Sequence, residues 1–442
     1  MRFSEWDNVK LKDITTKIGS GATPRGGSNS YQKEGIAFIR SQNVYNCSFN
    51  TNGLVFINNE QADKLKNVEI KKDDILLNIT GDSVARCTNV PDEFIGGRVN
   101  QHVAIIRTQK DKLNPDYLKY YLVSPYMQSF MISLARIGGT RAALTKGMIE
   151  SFEIPLPPIE EQKAIANILS ALDKKIEINN QINKKLEEMA QTIFKHWFID
   201  FEFPNEDGEP YKSSGGEMVE SKLGIIPENW EVISIGELFL DILGGEWGKE
   251  NEDDKHTIPV MCIRGADLPE VKKGKKGNVP MRFIKEDAFN KKRLKTGDII
   301  IEISGGSPTQ STGRSVYISQ EVLNKFNNKV VCTNFCRALR PKDVVFTELA
   351  YCFLEKLYKA NTFFQYENGT TGIKNLDLKN VLSNEKLAIP KDLKLIREFN
   401  KNISMILKKI QENGNENHKL AEIRDTLLPK LMSGEIRVPL DN

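Results

Sequence analysis

The chain writes much of itself twice, and this constrains its fold more than any single motif does. Residues 174–189 read KKIEINNQINKKLEEM; 234 positions later, residues 408–423 read KKIQENGNENHKLAEI. Beyond the shared opening, Asn179/Asn413, Asn183/Asn417, Lys185/Lys419, Leu186/Leu420 and Glu188/Glu422 coincide. Earlier in the chain the echo runs at an offset of 224. Trp6 falls on Trp230, FIRSQNV (38–44) on CIRGADL (262–268), and DDILLNITGD (73–82) on GDIIIEISGG (297–306). By Asn100/Asn334 the offset is 234, so the second copy carries about ten extra residues, expected in the loop 307–330. With only two units at so long a period, the pattern reads as a duplicated domain rather than a solenoid.

Each copy has two parts. The first mixes short β-branched runs (ILLNI, HVAIIR, IIIEI, RALRP) with Gly/Pro/Asn turns and a helix expected over 115–135. That is the pattern of a mixed α/β domain. The second part is a long helix. Expected boundaries are 1–157 for the first domain, 158–200 for its helix, 225–390 for the second domain, and 391–442 for the distal helix and tail. The Gly/Ser/Glu-rich stretch 201–224 reads as a linker.

Heptads laid on the distal helix put Ile396, Phe399, Ile403, Ile406, Ile410, Asn413, Asn417, Leu420, Arg424, Leu427 and Leu431 on one seam. The equivalent seam of the first helix runs Gln162, Ile165, Leu169, Leu172, Ile176, Asn179, Asn183, Leu186, Ala190, Ile193 and Trp197. Apolar residues at 3.5-residue spacing are the coiled-coil pattern. Both seams turn polar at the same two asparagines, near the helix midpoints. In an antiparallel pair these layers meet, and buried Asn sets register at some cost in stability. A solvated break in each helix is the alternative, and Gly414 in NGN supports it for the distal one. The expected architecture is two similar domains held by an antiparallel coiled coil under an approximate two-fold. A helix over 160–197 is ~57 Å long at ~1.5 Å per residue, on the order of one to two turns of B-DNA.

The bulk composition narrows the function by exclusion. With 442 residues, 39% apolar and 27% charged, the chain has room for two or more ordinary globular domains. MRFSEWDNVK lacks the apolar core of a signal peptide and no apolar run reaches membrane-spanning length, so a cytosolic protein is expected. The six cysteines have no framework spacing and read as reduced, buried thiols. Cys332 and Cys336 with His256 lack the spacing and the fourth ligand of a zinc site. A net charge of +3 decides nothing about nucleic acid, although KKGKKGN (272–278) and NKKRLK (290–295) are locally basic; solvated loops are the plain reading of both. No P-loop, G-x-S-x-G or H-E-x-x-H is present, nor a Pro-Pro-aromatic stretch able to seat a flipped amino group. Three missing machineries argue for a binding protein.

IPLPPIEEQKAIANILSALDKKIE (154–177), IFKHWFIDFE (193–202), LGIIPENWEV (223–232) and LLPKLMSGEIRV (427–438) resemble the specificity subunit of type I restriction-modification systems. The resemblance covers nearly the whole chain, and Gly414 departs from its continuous distal helix. It implies two target recognition domains, each reading one half of a split, asymmetric sequence in double-stranded DNA. It implies helices that act as spacer and dock two modification (methyltransferase) subunits, with restriction (motor and nuclease) subunits joining them. It implies no cofactor and no catalysis by this chain. The competing classes are a methyltransferase or nuclease with an unrecognised site, which would bind S-adenosylmethionine or cut DNA alone, and a coiled-coil scaffold without DNA affinity. DNA binding that weakens steeply with salt argues against the scaffold.

Candidate DNA contacts come in matched places. GSGATPRGGSN (19–29) offers Thr23, Arg25 and backbone amides; its counterpart GGEWGKEN (244–251) offers Trp247 and Lys249. Arg40, Gln42 and Asn43 carry the donors and acceptors that pair with guanine and adenine edges, and Arg264 and Asp267 occupy equivalent places. Because two readers should read different bases, the shared arginines suit phosphate or scaffold work better, with a structural ion pair as the alternative. A third pair of loops offers Thr140, Arg141 and Lys146 against Thr371 and Lys374; Asn100, Gln101, Arg314 and Asn334 complete the set. For each of these, a plain surface turn is the competing reading. His102 reads as a core or surface histidine rather than a ligand.

Overall fold

A computed structural model describes residues 6–137, 142–307, 309–369 and 373–439. The chain divides into two compact units, residues 1–176 with 419–442, and residues 177–418. Each takes one α/β domain and a part of both long helices.

In the first unit, DDILLNIT places the strand Ile75–Asn78 in the middle of a four-stranded antiparallel sheet. The order is Thr15–Ser20, Val103–Thr108, Ile75–Asn78, Cys87–Asn89. Side chains alternate across a strand. Ile75 and Leu77, with Ala104 and Ile106, therefore enter one core, and Leu76, with Val103 and Ile105, enters another. Burial on both faces explains why these runs are continuously apolar. Ile36–Ile39 forms a second sheet, antiparallel to Val55–Ile57 and parallel to Arg98–Val99. Asp7–Lys10 pairs with Glu153–Leu156 and closes the domain.

The second unit repeats the plan. Phe239–Gly244, Cys336–Pro341, Ile299–Glu302 and Ser315–Tyr317 form the four-stranded sheet in the same order. Ile258–Ile263 lies antiparallel to Met281–Ile284 and parallel to Val330–Cys332. Trp230–Ser234 pairs with Lys386–Pro390. A buried bidentate ion pair is common to both: Arg107 to Asp74 (2.7 Å, twice) and Arg340 to Asp298 (2.9 and 2.8 Å). The added residues of the second copy fall on both sides of Ser315–Tyr317 and include the helix Gln320–Lys325.

Two expectations need correction. The stretch 115–135 is two helices, Pro115–Val123 and Pro125–Arg136, because Ser124 caps the second and Pro125 starts it; the residue before proline resists the helical conformation. The stretch 201–224 is folded rather than loose. Phe203 is buried between Tyr211 and Trp230 (ring centroids 4.6 and 5.1 Å), and Met218–Ser221 pairs with Gly224–Pro227 in a hairpin.

Both long helices are continuous, Ile159–Phe198 and Leu393–Met432. Within the second unit they run antiparallel: Asn179 Nδ2 donates to Asn417 Oδ1 (2.9 Å), and Asn413 Nδ2 donates to Asn183 Oδ1 (2.8 Å). All four asparagines are buried, and Asn417 Nδ2 reaches Asn180 Oδ1 at 3.1 Å. Within the first unit Arg424 donates to Asp173 (2.7 Å) and Leu428 and Leu431 join the core beside Ile165 and Leu169. Gly414 does not break the distal helix. A Cβ there would lie 2.5 Å from Gly274 Cα, so glycine is required by a close backbone approach rather than by a turn. The six cysteines are unpaired and five are buried. No described helix is long and apolar enough to cross a membrane.

One buried acid yields a stability prediction. Glu348 is 8% exposed and burial pushes its carboxyl from 4.5 up to about 7. A raised acid pKa means the folded state holds its proton longer than the unfolded one. The stability present below pH 4.5 is therefore lost as pH rises toward 7. Glu348→Gln should leave unfolding unchanged at pH 4 and stabilise the protein by about 3 kcal/mol at pH 8, on ~1.4 kcal/mol per pKa unit. Urea unfolding at both pH values checks this, and an equal effect at the two would contradict it.

Candidate nucleic-acid interface

The matched loops owe their place to one glycine in each copy. A Cβ on Gly21 or Gly245 would run into the carbonyl of Val99 or Thr333. With no side chain there, the loop lies on the neighbouring strand end: Ala22 N–H donates to Val99 O (3.0 Å) and Glu246 N–H to Cys332 O (2.8 Å). The residues that follow, Thr23 and Trp247, are thereby set beside the NQH and NFC turns.

In the first copy this produces a hydrogen-bonded rim. Thr23 Oγ1 meets Gln101 Oε1, and Gln101 Nε2 donates to His102 Nε2 (3.0 Å). That donation leaves the ring proton on Nδ1, which faces Thr80 Oγ1 at 2.6 Å. Asn78 Nδ2 donates to Ser41 O (2.9 Å), tying the rim to the turn that carries Arg40 and Gln42. In the second copy Trp247, Arg264, Ala266, Asn334 and Phe335 line one concavity of about 400 Å³. At its base Arg314 holds Glu302 with two bonds of 2.8 and 2.6 Å. Arg282 covers one face of Trp247 at 4.1 Å, and the ring remains 37% exposed.

The shared arginines brace the turns. Arg40 Nη2 donates to Gly53 O (2.6 Å) and Arg264 Nη2 to Asn278 O (2.7 Å), so each pins a loop at the same place. Arg264 also holds Asp267 bidentately (2.8 and 2.9 Å), and that carboxylate raises its pKa. This is the ion-pair alternative in the second copy; in the first, Arg40 lies 5.3 Å from the Tyr31 ring instead.

Asn43 and Asp267, which differ between the copies as readers of different bases should, are only 0% and 3% exposed. Each accepts the backbone N–H of its arginine at 3.0 Å and closes the turn, so neither presents an edge to a ligand. Asn100 is also buried and accepts from His102 N–H (3.1 Å).

Other candidates stand outside these clusters. Arg25 is exposed. Lys146 pairs with Glu150 (3.5 Å), Lys249 with Asp253 (2.6 Å) and Lys374 with Glu367 (2.8 Å). Thr140, Arg141 and Thr371 lie outside the described residues. Phe335, 58% exposed at the mouth of the concavity, was not singled out from the sequence. The offset that aligns Asn100 with Asn334 also aligns Gln101 with Phe335 and would have found it. Among the described residues no cluster of His, Cys, Asp and Glu is arranged to hold a metal.

The two frames are therefore alike, and the exposed residues on them differ: Thr23 against Trp247, Gln42 against Ala266, Gln101 against Phe335. The first rim presents amides and hydroxyls, which match base edges; the second presents aromatic faces beside a guanidinium.

The family model described as "Type I restriction modification DNA specificity domain" matches residues 3–188 and 227–425. The specificity subunit of the type I restriction enzyme MjaIX from Methanocaldococcus jannaschii is 25% identical, over 98% of this chain and 94% of that protein. The HindI specificity subunit from Haemophilus influenzae is also 25% identical, over 98% of this chain and all of that one. The crystal structure of a type I restriction-modification S subunit from M. genitalium has the same fold, with a TM-score of 0.55 at 17% identity; the match covers 99% of this chain and 97% of that one. The chain belongs to the family of type I restriction-modification DNA specificity proteins.

Proposed function

We propose that the chain is the sequence-recognition subunit of a type I restriction-modification complex. It binds an asymmetric, bipartite site in double-stranded DNA, one half per domain, and has no catalytic role of its own. The domain over 1–157 reads one half through Thr23, Gln42 and Gln101. The domain over 225–390 reads the other through Trp247, Asn334 and Phe335. Arg40, Arg264 and Arg314 hold the loops in place. The paired helices set the unread spacing and dock two methyltransferase subunits, to which restriction subunits add cleavage. The observation that supports this reading is one scaffold built twice with different exposed residues on it. A single reader would not need a second frame, and two identical readers would not need different rims.

Sequencing of modified bases in DNA from cells that carry this chain with its methyltransferase partner tests the proposal. The expected result is one split motif whose two halves differ, separated by a fixed number of unread bases. A contiguous motif, or modification that persists when the chain is deleted, would contradict it.

A further inference from the structure

The basic stretch KKGKKGN, which reads from sequence as a solvated loop, is clipped in two places. One end is held at the rim of the second concavity, where Arg264 Nη2 donates to Asn278 O (2.7 Å). The other is held on the distal helix. Gly274 takes a φ of +80°, and a Cβ on it would lie 2.9 Å from both Gln411 O and Gly414 Cα. Two glycines therefore face each other with no room for a side chain on either. Gln411 Nε2 donates to the carbonyls of Val271 and Lys272 (3.1 Å each), and Lys325 Nζ donates to Gly274 O. A loop held this way loses little further freedom when it meets a ligand.

Its four lysines divide into two that are paired and two that are not, among the described residues. Lys275 pairs with Glu270 (3.0 Å) and Lys272 with Glu355. Lys273 and Lys276 are exposed and have no ion-pair partner among the described residues. Lys325, which donates to Gly274 O, adds a further cation beside them, its amine pushed down to about 8 by burial and by the charge of Lys276. The corresponding loop of the first copy, pinned by Arg40 through Gly53, reads FNTNG over 49–53 and has no basic residue. The helix position equivalent to Gly414 is Asn180, which is exposed.

We infer that Lys273 and Lys276 form a phosphate-backbone site for the unread DNA beside the second half-site, presented by a loop that the Gly274–Gly414 contact fixes to the spacer helix. The inference rests on the DNA-recognition reading above. The loop runs from the concavity at Asn278 to the middle of the distal helix at Gly414, beside the buried Asn413 and Asn417, so on that reading its phosphate contacts fall on DNA that is spanned rather than read. Such contacts add affinity without sequence information.

The test uses the chain assembled with its methyltransferase subunits, with binding to its cognate duplex measured from low to moderate salt. Each phosphate contact contributes about 0.9 to the slope of log K against log salt. Lys273→Ala with Lys276→Ala should lower that slope by about 2 and leave the modified sequence unchanged. A duplex with neutral methylphosphonate linkages in the unread segment should weaken binding by the wild-type complex and not by the double variant. Gly414→Ala keeps both lysines but lifts the loop, and should lose the same slope. An unchanged slope in the double variant, or an altered modified sequence, would overturn the site. A full slope in Gly414→Ala would overturn the clip. A wild-type complex that binds no duplex would instead overturn the recognition reading itself, and the site with it.

Discussion

Residues 1–222, expressed alone, should form a two-fold dimer and, with the modification partner, should mark a palindrome instead of an asymmetric site. The expectation follows from the asparagine layer. In the full chain Asn179 bonds Asn417 and Asn183 bonds Asn413. Asn417 is the repeat equivalent of Asn183, and Asn413 of Asn179. Each native contact is thus already one between a first and a second asparagine, running in opposite directions. Two copies of the first helix, set antiparallel, reproduce both contacts: Asn179 of one with Asn183 of the other, and the reverse. The rest of the seam follows the same rule. Leu428 and Leu431 of the first core correspond to Phe194 and Trp197, which a second copy would supply. Closed two-fold symmetry presents two copies of one reader, and so requires an inverted repeat of one native half-site around an unread spacer. Mass in solution and modified-base sequencing check this; a strictly monomeric fragment or a non-palindromic site would contradict it. Asn179→Leu with Asn183→Leu should keep the dimer but blur the spacer length, because the layer that sets register is gone.

The same helices show how far a sequence can be read. Their register was legible because burial in a paired seam follows a 3.5-residue period, and the positions named from the heptads include Ile165, Leu169, Ile396, Phe399, Ile403 and Ile410, all buried. Why a glycine stands at 414 inside a continuous helix is not legible, because the backbone it makes room for lies 140 residues away at Gly274 and no local pattern reports a close approach of backbones. The break at Ser124 was written locally, as a capping serine before a proline, and was overridden by the apolar pattern on either side of it. For the stretch 201–224, polar composition hid Phe201, Phe203 and Tyr211: Phe203 stacks on both Tyr211 and Trp230, and Phe201 meets Trp230 edge-on. In the candidate interface, the internal offset placed Thr23 with Trp247 and Arg40 with Arg264 in equivalent positions. It could not tell which side chains at those positions face outward. Asn43 and Asp267 differ between the copies, as readers should, yet both are consumed inside a three-residue turn. Exposure depends on the turn geometry, and residue type alone does not fix it.

Modular reading is tested most directly by exchanging one reader. Residues 227–389 carry the second concavity, its bracing Arg264 and Arg314, and the clipped loop; the exchange begins at Pro227, just before the strand Trp230–Ser234, and ends within its partner strand Lys386–Pro390. The first rim, Thr23, Gln42, Gln101 and the loops that hold them, draws on residues of the first unit among those described. With 227–389 replaced by the corresponding domain of another family member, and the chain expressed with its methyltransferase partner, the modified bases should be sequenced. One half of the motif should change to that of the donor and the other half should stay as it was. A change in both halves, or in neither, would contradict two independent readers on one spacer.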